Sequence, residues 1–556
     1  MTKTNDRPLN GHQKEAMESL NKQIIELRIP NAEPYPLSEQ ISSSNKPTNR
    51  SENNEPSSID KNNPAKSAYL HLVTSKSTIA DGTIPDWDYI SQNIINNIKK
   101  TTFLKLLLEN GSDQNEYCGT DGSIKISEDL KCSLAVQHGL TVAAKIGFAI
   151  RGKALKEEYI QPYVFNGRYW ITVSRPKLTK FFRSILPLLG FDKTKALILP
   201  RVSTHIIGAF NALAEELPQR NLSRKRLNLS NGILEVFKGK VQFTNSFSYE
   251  DGFTSCLPYP YQPDATHPLF TKYLDRVLPD KESQLLLQEA MGLSLVNENI
   301  QKIPYLLGDG SNGKSVLNDI MQGLLGSNMS RITLRNLMGD KSERNQANLE
   351  GIFINYPPEN EDTKPNDFRF ELFRTLADRN PLTVQKLYAD LYEIQHYAYS
   401  VFNVNCLPKN PELSHAFFRR VMPILFDQTI TDNEKDPELA KKIIATELPG
   451  VLNWLIEGAI RLQLNKHFSS CKKSDEVLDQ YKQESDVVAM WLSDREYHES
   501  DIPMLLTRLF HDLDIYMDEN GYKYQIKITT LANRLRGYKF RERKGKPLAF
   551  YIIAKN

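Results

Sequence analysis

Apolar and polar positions divide this chain into stretches of different character. From Leu37 to Ser67 the text LSEQISSSNKPTNRSENNEPSSIDKNNPAKS is nearly free of bulky apolar residues. Such a stretch cannot bury enough surface to offset its ordering entropy, so residues 1–68 read as a disordered tail and linker. Within that tail, His12 to Leu27 has the pattern of one short amphipathic helix. Folded patterning resumes near Tyr69. PYVFNGRYWITVS, Pro162 to Ser174, predicts two strands joined by an Asn-Gly turn, and RLNLSNGILEVFKGKVQF, Arg226 to Phe243, repeats that logic. A Pro-rich connector, Leu257 to Phe270, precedes a helical periodicity that starts at Lys272. The apolar run Ile303 to Leu307 then predicts a strand, and Val316, Leu317, Ile320, Met321 and Leu324 give a helix face after a glycine-rich break. Three more short apolar runs follow, at Ile352 to Ile354, at Val401 to Val404 and in the segment HAFFRRVMPILF. After His467 the composition shifts to a small charged module. The boundaries drawn from these changes are 1–68, 69–271, 272–466 and 467–556.

The break between strand and helix carries chemistry. Gly308-Asp309-Gly310-Ser311-Asn312-Gly313-Lys314-Ser315 satisfies G-x-x-x-x-G-K-[ST]. Glycines let backbone N–H groups turn inward around phosphate oxygens, the lysine reaches the β and γ phosphates, and the serine hydroxyl binds Mg²⁺. The strand–loop–helix order is what that mechanism requires, because phosphate sits at a helix N-terminus. ATP with Mg²⁺ is therefore the expected ligand. A second acidic site is needed to help hold the metal and polarise water. GIFINYPPENED, Gly351 to Asp362, supplies Glu359 after an apolar strand, with Glu361 and Asp362 as competitors for the role. Asn405 ends the strand Val401 to Val404, where a polar amide can sense a γ-phosphate. Arg419 and Arg420 precede the last apolar run, where an arginine supplied to a neighbour's nucleotide would stabilise transition-state charge.

In order and spacing these residues resemble a superfamily 3 helicase of the phage/plasmid primase–helicase type, related to the poxvirus primase–helicase. GDGSNGKS is similar to that family's Asn-Gly-Lys-Ser loop, and Glu359 matches its acidic motif. LADRNPLTVQKLYADLYEIQHYAYSVFNVNCLP matches the stretch leading to its asparagine sensor, here Asn405. FFRRVMPILF matches its arginine-finger segment, with Arg420 best aligned. ELPGVLNWLIEGAIRL looks like its closing helix, and the likeness spans about Phe165 to Ile553. The sequence departs from the pattern at Ala377-Asp378, where the family has Gly-Asp, at Arg374, where it has lysine, and at Pro357-Pro358 before a single glutamate. The resemblance implies an α/β fold with an AAA+-like P-loop ATPase core, a preceding α+β domain and a winged-helix-like C-terminal domain. It also implies a ring, usually a homo-hexamer, that travels 3′ to 5′ on DNA, with Lys314 and Ser315 holding ATP from one subunit and Arg420 from the next.

Charge places the expected DNA contacts. Lys+Arg total 70 against 67 Asp+Glu, a net of +3, so any nucleic-acid surface must be local. KLYADLYEIQHYAY, Lys386 to Tyr399, combines Lys386 and His396 with tyrosines, and the resemblance makes it a pore hairpin. Cations for phosphate and aromatics for bases suit single strands. KITTLANRLRGYKFRERKGKPLAFYIIA predicts a helix at Thr529 to Leu535, a basic hairpin and a closing strand. Arg534, Arg536, Lys539, Arg541, Arg543, Lys544 and Lys546 there face one acid, Glu542, an electrostatic footprint for phosphate backbone. Asp86 and Asp88 are the only early D-x-D pair, and they read as helix caps ahead of Tyr89 rather than the metal ligands of a primase. The five cysteines form no C-x-x-C pair, the N-terminus has no signal core, and no apolar run approaches the ~20 residues of a membrane span. A cytoplasmic protein of a bacterial host or virus-infected cell is expected, with no membrane partner.

The reading that absorbs most of these features is an ATP-dependent replicative DNA helicase of a phage, plasmid or integrated element. It would act on single-stranded and forked DNA beside a separate primase or other replication proteins. Two alternatives remain open: an origin-binding initiator or loader ATPase that melts DNA without processive unwinding, and a DNA-binding scaffold with a degenerate ATPase site.

Overall fold

A computed structural model of the chain describes residues 84–117, 125–143, 147–152, 160–339, 342–358, 369–386, 390–407, 415–520, 526–543 and 545–554. The tail, its amphipathic segment, and Glu359, Glu361, Asp362 and Lys544 lie outside these residues. The chain enters the described part through a helix cap. The Asp86 carboxylate accepts the Tyr89 N–H at 2.9 Å and starts α1 (Trp87–Asn97), two residues earlier than predicted. Among the described residues no group of three or more His, Cys, Asp or Glu could hold a metal.

Helices α2 (Phe103–Glu109) and α3 (Glu128–Val142) follow, capped by Thr102 and Ser127. The strands β1 (Phe148–Arg151), β2 (Gln161–Phe165) and β3 (Trp170–Thr172) come next. The predicted Asn-Gly turn joins β2 to β3. Gly167 takes φ +94°, and the Asn166 side-chain oxygen accepts the N–H groups of Arg168 and Tyr169. Helices α4 (Arg175–Ile185), α5 (Lys193–Ile198) and α6 (Pro200–Leu213) lead to β4 (Glu215–Glu216), which pairs parallel to β1 in a sheet of order β3-β2-β1-β4. One apolar core runs from Trp87 to Leu217.

The second predicted hairpin is a three-stranded meander: β5 (Arg226–Leu229), β6 (Gly232–Phe237) and β7 (Lys240–Thr244). Its third strand follows a turn in which Lys238 and Gly239 both have positive φ. Leu227, Leu229, Leu234 and Val236 join the core that contains Leu306, Leu317 and Leu455. The boundary expected at 271 therefore falls inside a single core.

The elements after the connector are α7 (Pro268–Val277), α8 (Lys281–Gly292), β8 (Ile303–Leu307) and α9 (Lys314–Leu325). They are followed by β9 (Met329–Ser330), α10 (Leu334–Met338), α11 (Glu343–Ala347), β10 (Ile354–Asn355) and α12 (Phe370–Asp378). Next come the hairpin β11 (Leu382–Gln385) and β12 (Leu391–Ile394), then β13 (Tyr399–Ser400) and β14 (Phe402–Val404). The last of this set are α13 (His415–Phe418), β15 (Val421–Leu425), α14 (Leu439–Thr446) and α15 (Leu448–Asn465). Only Val401 separates β13 from β14, so two three-stranded sheets read as one parallel run, β9-β10-β13/β14-β8-β15. Successive residues alternate between its faces. Leu306, Met422 and Ile424 point into one core, while Tyr305, Val421 and Phe402 point into another that also holds Leu334, Phe373 and Ile394. Burial on both faces is the usual state of a parallel sheet.

Helix α16 (Lys472–Ser485) still belongs to this region, since Leu478 and Tyr481 pack on the second core. A separate C-terminal core begins at Val487 rather than at 467. It is built from α17 (Val487–Asp494), β16 (Tyr497–Leu505), α18 (Leu506–Glu519), α19 (Ile528–Gly537), β17 (Glu542–Arg543) and β18 (Ala549–Ala554). Its antiparallel sheet has the order β16-β18-β17. Among the described residues no single helix is long and apolar enough to cross a membrane.

Candidate nucleotide site and nucleic-acid surfaces

The carboxyl ends of the parallel strands meet at one edge, the place where ligands bind in such sheets. The loop 308–313 leaves β8 at this edge and turns directly into α9. Three of its residues have positive φ: Gly310 at +100°, Ser311 at +46° and Gly313 at +84°. Neighbouring elements fix its backbone at several points. Gly308 N–H donates to the Val404 carbonyl at 3.2 Å, Ile430 N–H donates to the Ser311 carbonyl at 2.7 Å, and the Tyr273 hydroxyl donates to the Gly313 carbonyl at 2.8 Å. The Lys314 ammonium turns back into the mouth of the loop, 2.6 Å from the Gly308 carbonyl. Ser315 is exposed in the first turn of α9, and Asp309 and Gly310 are exposed at the rim. Asn312 is buried instead, with its amide 3.4 Å from the Phe426 carbonyl at the end of β15. It holds the loop's shape.

Gly308 is required by space. A Cβ there would lie 2.2 Å from Asn312 Nδ2, 2.5 Å from the Phe426 carbonyl oxygen and 3.1 Å from Lys314 Nζ. A Cβ at Gly310 would meet nothing within 4 Å. Gly308→Ala is therefore expected to weaken binding of a fluorescent ATP analogue by more than about tenfold, while Gly310→Ala costs only backbone strain of about 1 kcal/mol. Titration of both variants checks this, and equal affinities would contradict it.

Asn405 stands one step beyond the β14–β8 register pair Val404–Leu307 and is exposed beside the start of the loop. The structure thus brings together Gly308 to Ser315 and Asn405. Arg420 is elsewhere. It precedes β15, and its carbonyl accepts the Ile303 N–H, so it sits at the opposite, amino-terminal edge of the sheet. Only 1% of it is exposed. Its guanidinium forms a two-pronged pair with Asp378, 2.8 Å from Oδ1 and 2.6 Å from Oδ2, and also donates to the Ala416 carbonyl. A buried, doubly bonded arginine cannot reach a neighbour's nucleotide. The exposed arginine of the pair is Arg419.

Residues 151–279 match the family described as D5 N terminal like. Residues 306–420 match a family of unknown function (DUF5906). The first match covers β2 to β7 and the connector through α7; the second runs from the end of β8 to Arg420. No curated protein matches. Similar solved structures include the A form apo structure of the NrS-1 C terminal region, at 11% identity and TM-score 0.41, covering 75% of this chain and 98% of that one. The apo structure of the NrS-1 C terminal region (305-718) is 12% identical with TM-score 0.41, covering 76% and 99%.

The expected nucleic-acid residues are placed less simply. Lys386 follows β11 at the tip end of the hairpin, whereas His396 lies past its base, where its carbonyl accepts the Gly351 N–H. They do not form one contact. Lys386 is also engaged, 2.6 Å from the Glu350 carboxylate, which accepts the Tyr392 hydroxyl as well. In the C-terminal module the fold supplies acids that local counting missed. Arg534 pairs with Asp486, and Arg541 pairs with Glu499 and Asp501; the Glu542 already counted pairs with Arg536. Arg543 donates to the Pro547 carbonyl, and Lys539 and Lys546 are exposed. The positive footprint is smaller than seven bases against one acid implied.

Two buried residues at the nucleotide edge escaped the sequence reading. Asn403 and Tyr356 look like ordinary strand positions there, but their side chains bond to each other across β14 and β10, at 3.2 Å. Their spacing in the chain, 47 residues, gives no local signal.

Proposed function

We propose that this chain is an ATP-hydrolysing replicative DNA helicase of the phage or plasmid primase–helicase kind, working as a ring. The observation that carries the reading is the loop Gly308 to Ser315 at the carboxyl end of a central parallel strand, with Lys314 aimed into its mouth and Asn405 exposed beside it. The match of residues 151–279 to a D5 N terminal like family supports the same reading. The cradle fits a triphosphate: Gly308 leaves room that any side chain would fill, and Lys314 is held inside it. Ser315 would take Mg²⁺, which supplies charge neutralisation on the phosphates when bound. The carboxylate partner is assigned to Glu359 or a neighbouring acid. Lys314 neutralises phosphate charge, the loop N–H groups orient the phosphates, and Asn405 holds a water or a terminal phosphate oxygen. Transition-state charge from a neighbouring subunit is assigned to Arg419, since Arg420 is committed to Asp378.

The helix–strand–helix–helix–strand–strand order of the C-terminal module supports a winged helix with α19 and the β17–β18 turn facing DNA. The test is strand displacement. The purified full chain with Mg-ATP is expected to unwind a forked duplex, and wild type that opens no fork would end the helicase reading. Opening of short forks without progress along long duplexes would turn it into the initiator reading.

A further inference from the structure

Proline has no N–H to donate, so Pro357 and Pro358 leave the carboxyl end of β10 with only their carbonyls as handles. Three consecutive carbonyls there are met by two buried side-chain amides. Asn318 Nδ2, from α9, donates to the Tyr356 carbonyl at 2.8 Å. Asn403 Nδ2, from β14, donates to the Pro358 carbonyl at 2.8 Å and lies 3.4 Å from that of Pro357. The Tyr356 hydroxyl donates to Asn403 Oδ1 at 3.2 Å and lies 3.5 Å from the carbonyl of Lys314, the first residue of α9, so its one proton is shared unequally between the two acceptors. Asn318, Tyr356 and Asn403 are all buried, at 0, 0 and 2% exposure. Packing alone would be served by aliphatic side chains, since a buried amide is costly unless its partners are in place. Asn318 Oδ1 has no partner among the described residues, but the two amide nitrogens do, and their bonds join three elements: the helix that begins at Lys314, the strand that ends at the double proline, and β14. That last strand follows hairpin strand β12 in the chain, reached through residues 395–401, which include β13.

We propose that Tyr356, Asn318 and Asn403 are positioning residues forming a relay between the phosphate loop and the hairpin strand, so that nucleic acid held at the hairpin changes the rate of hydrolysis at the loop. This rests on the ATPase reading above. The relay acts through backbone: it sets where the chain leaves β10 and how the first turn of α9 is held against it.

The test is steady-state ATP hydrolysis by the full chain with and without an oligo-dT strand. Tyr356→Phe keeps the buried ring and removes one oxygen, and Asn403→Ala removes the amide. Both are expected to lower the stimulation by oligo-dT about fivefold or more while KM for ATP stays within about twofold. A role confined to stability would lower the melting temperature and leave the stimulation factor intact; that result in Tyr356→Phe overturns the relay. Wild type that hydrolyses no ATP overturns the relay together with the ATPase reading. Wild type that is stimulated, beside an equally stimulated Tyr356→Phe, overturns the relay alone.

Discussion

Arg420→Ala is expected to destabilise the protein by about 2–4 kcal/mol, because it leaves the Asp378 carboxylate, about one-tenth exposed, with only the exposed Arg374 at 3.6 Å as an ion-pair partner. The Arg420 hydrogen bonds hold the Asp378 carboxyl below the usual carboxylate range, against the opposing effect of burial. The sign follows. A group whose folded pKa is depressed contributes stability that is present above its unfolded pKa of about 4 and is lost as pH falls through the lower folded value. The melting temperatures of wild type and Arg420→Ala should therefore differ by more than about 5 °C at pH 7 and converge in strong acid. Replacing both partners with apolar residues, Arg420→Met with Asp378→Leu, should recover most of the loss. Arg419→Ala should leave the melting temperature nearly unchanged and lower ATP hydrolysis by the assembled protein. An unshifted melting curve for Arg420→Ala would show that the pair does not hold the fold, and would return Arg420 to the neighbour-facing role.

Lys314→Ala is expected to leave the fold intact, since its ammonium bonds the loop's own Gly308 carbonyl. It should lower ATP turnover by about 10²–10³-fold, the usual cost of removing one preorganised charge donor from a transition state. Hydrolysis measured with single-stranded DNA present checks this, with circular dichroism to establish folding. Turnover within a few-fold of wild type would place the chemistry elsewhere.

Features that depend on neighbours in the chain were legible without coordinates. The strand, the loop and the helix face from Val316 to Leu324 are local, as are the Asn166–Gly167 turn and the Asp86 cap. Asn405 was legible because a strand end is visible in the apolar pattern. Features that depend on distant partners were not. The doublet Arg419-Arg420 carries no sign that one member is buried, because Asp378 lies 42 residues upstream. The basic C-terminal text reads as nearly unopposed because Asp486, which caps α17, and Glu499 and Asp501 of β16 lie outside it. Nothing near Lys386 in the chain shows that Glu350, from beyond α11, lies beside it. Helix α19, by contrast, spans Ile528–Gly537, close to the predicted Thr529 to Leu535.

The meander β5–β7 and the segment leading into it have a consequence for dissecting this protein. Lys225 is buried, its ammonium donates to the carbonyls of Leu293 and Phe353 at 3.0 Å, and burial with the nearby Arg379 charge pushes it well below the usual lysine range. Arg220 is sandwiched by the rings of Phe253 and Phe353. Residues that look like the tail of one module are thus the wall of the next. A fragment cut at the change in composition near 271 would lose both cations and bare the leucines that β5 and β6 cover. Any recombination event that exchanges this core between such chains intact must carry the chain from about Arg220 onward.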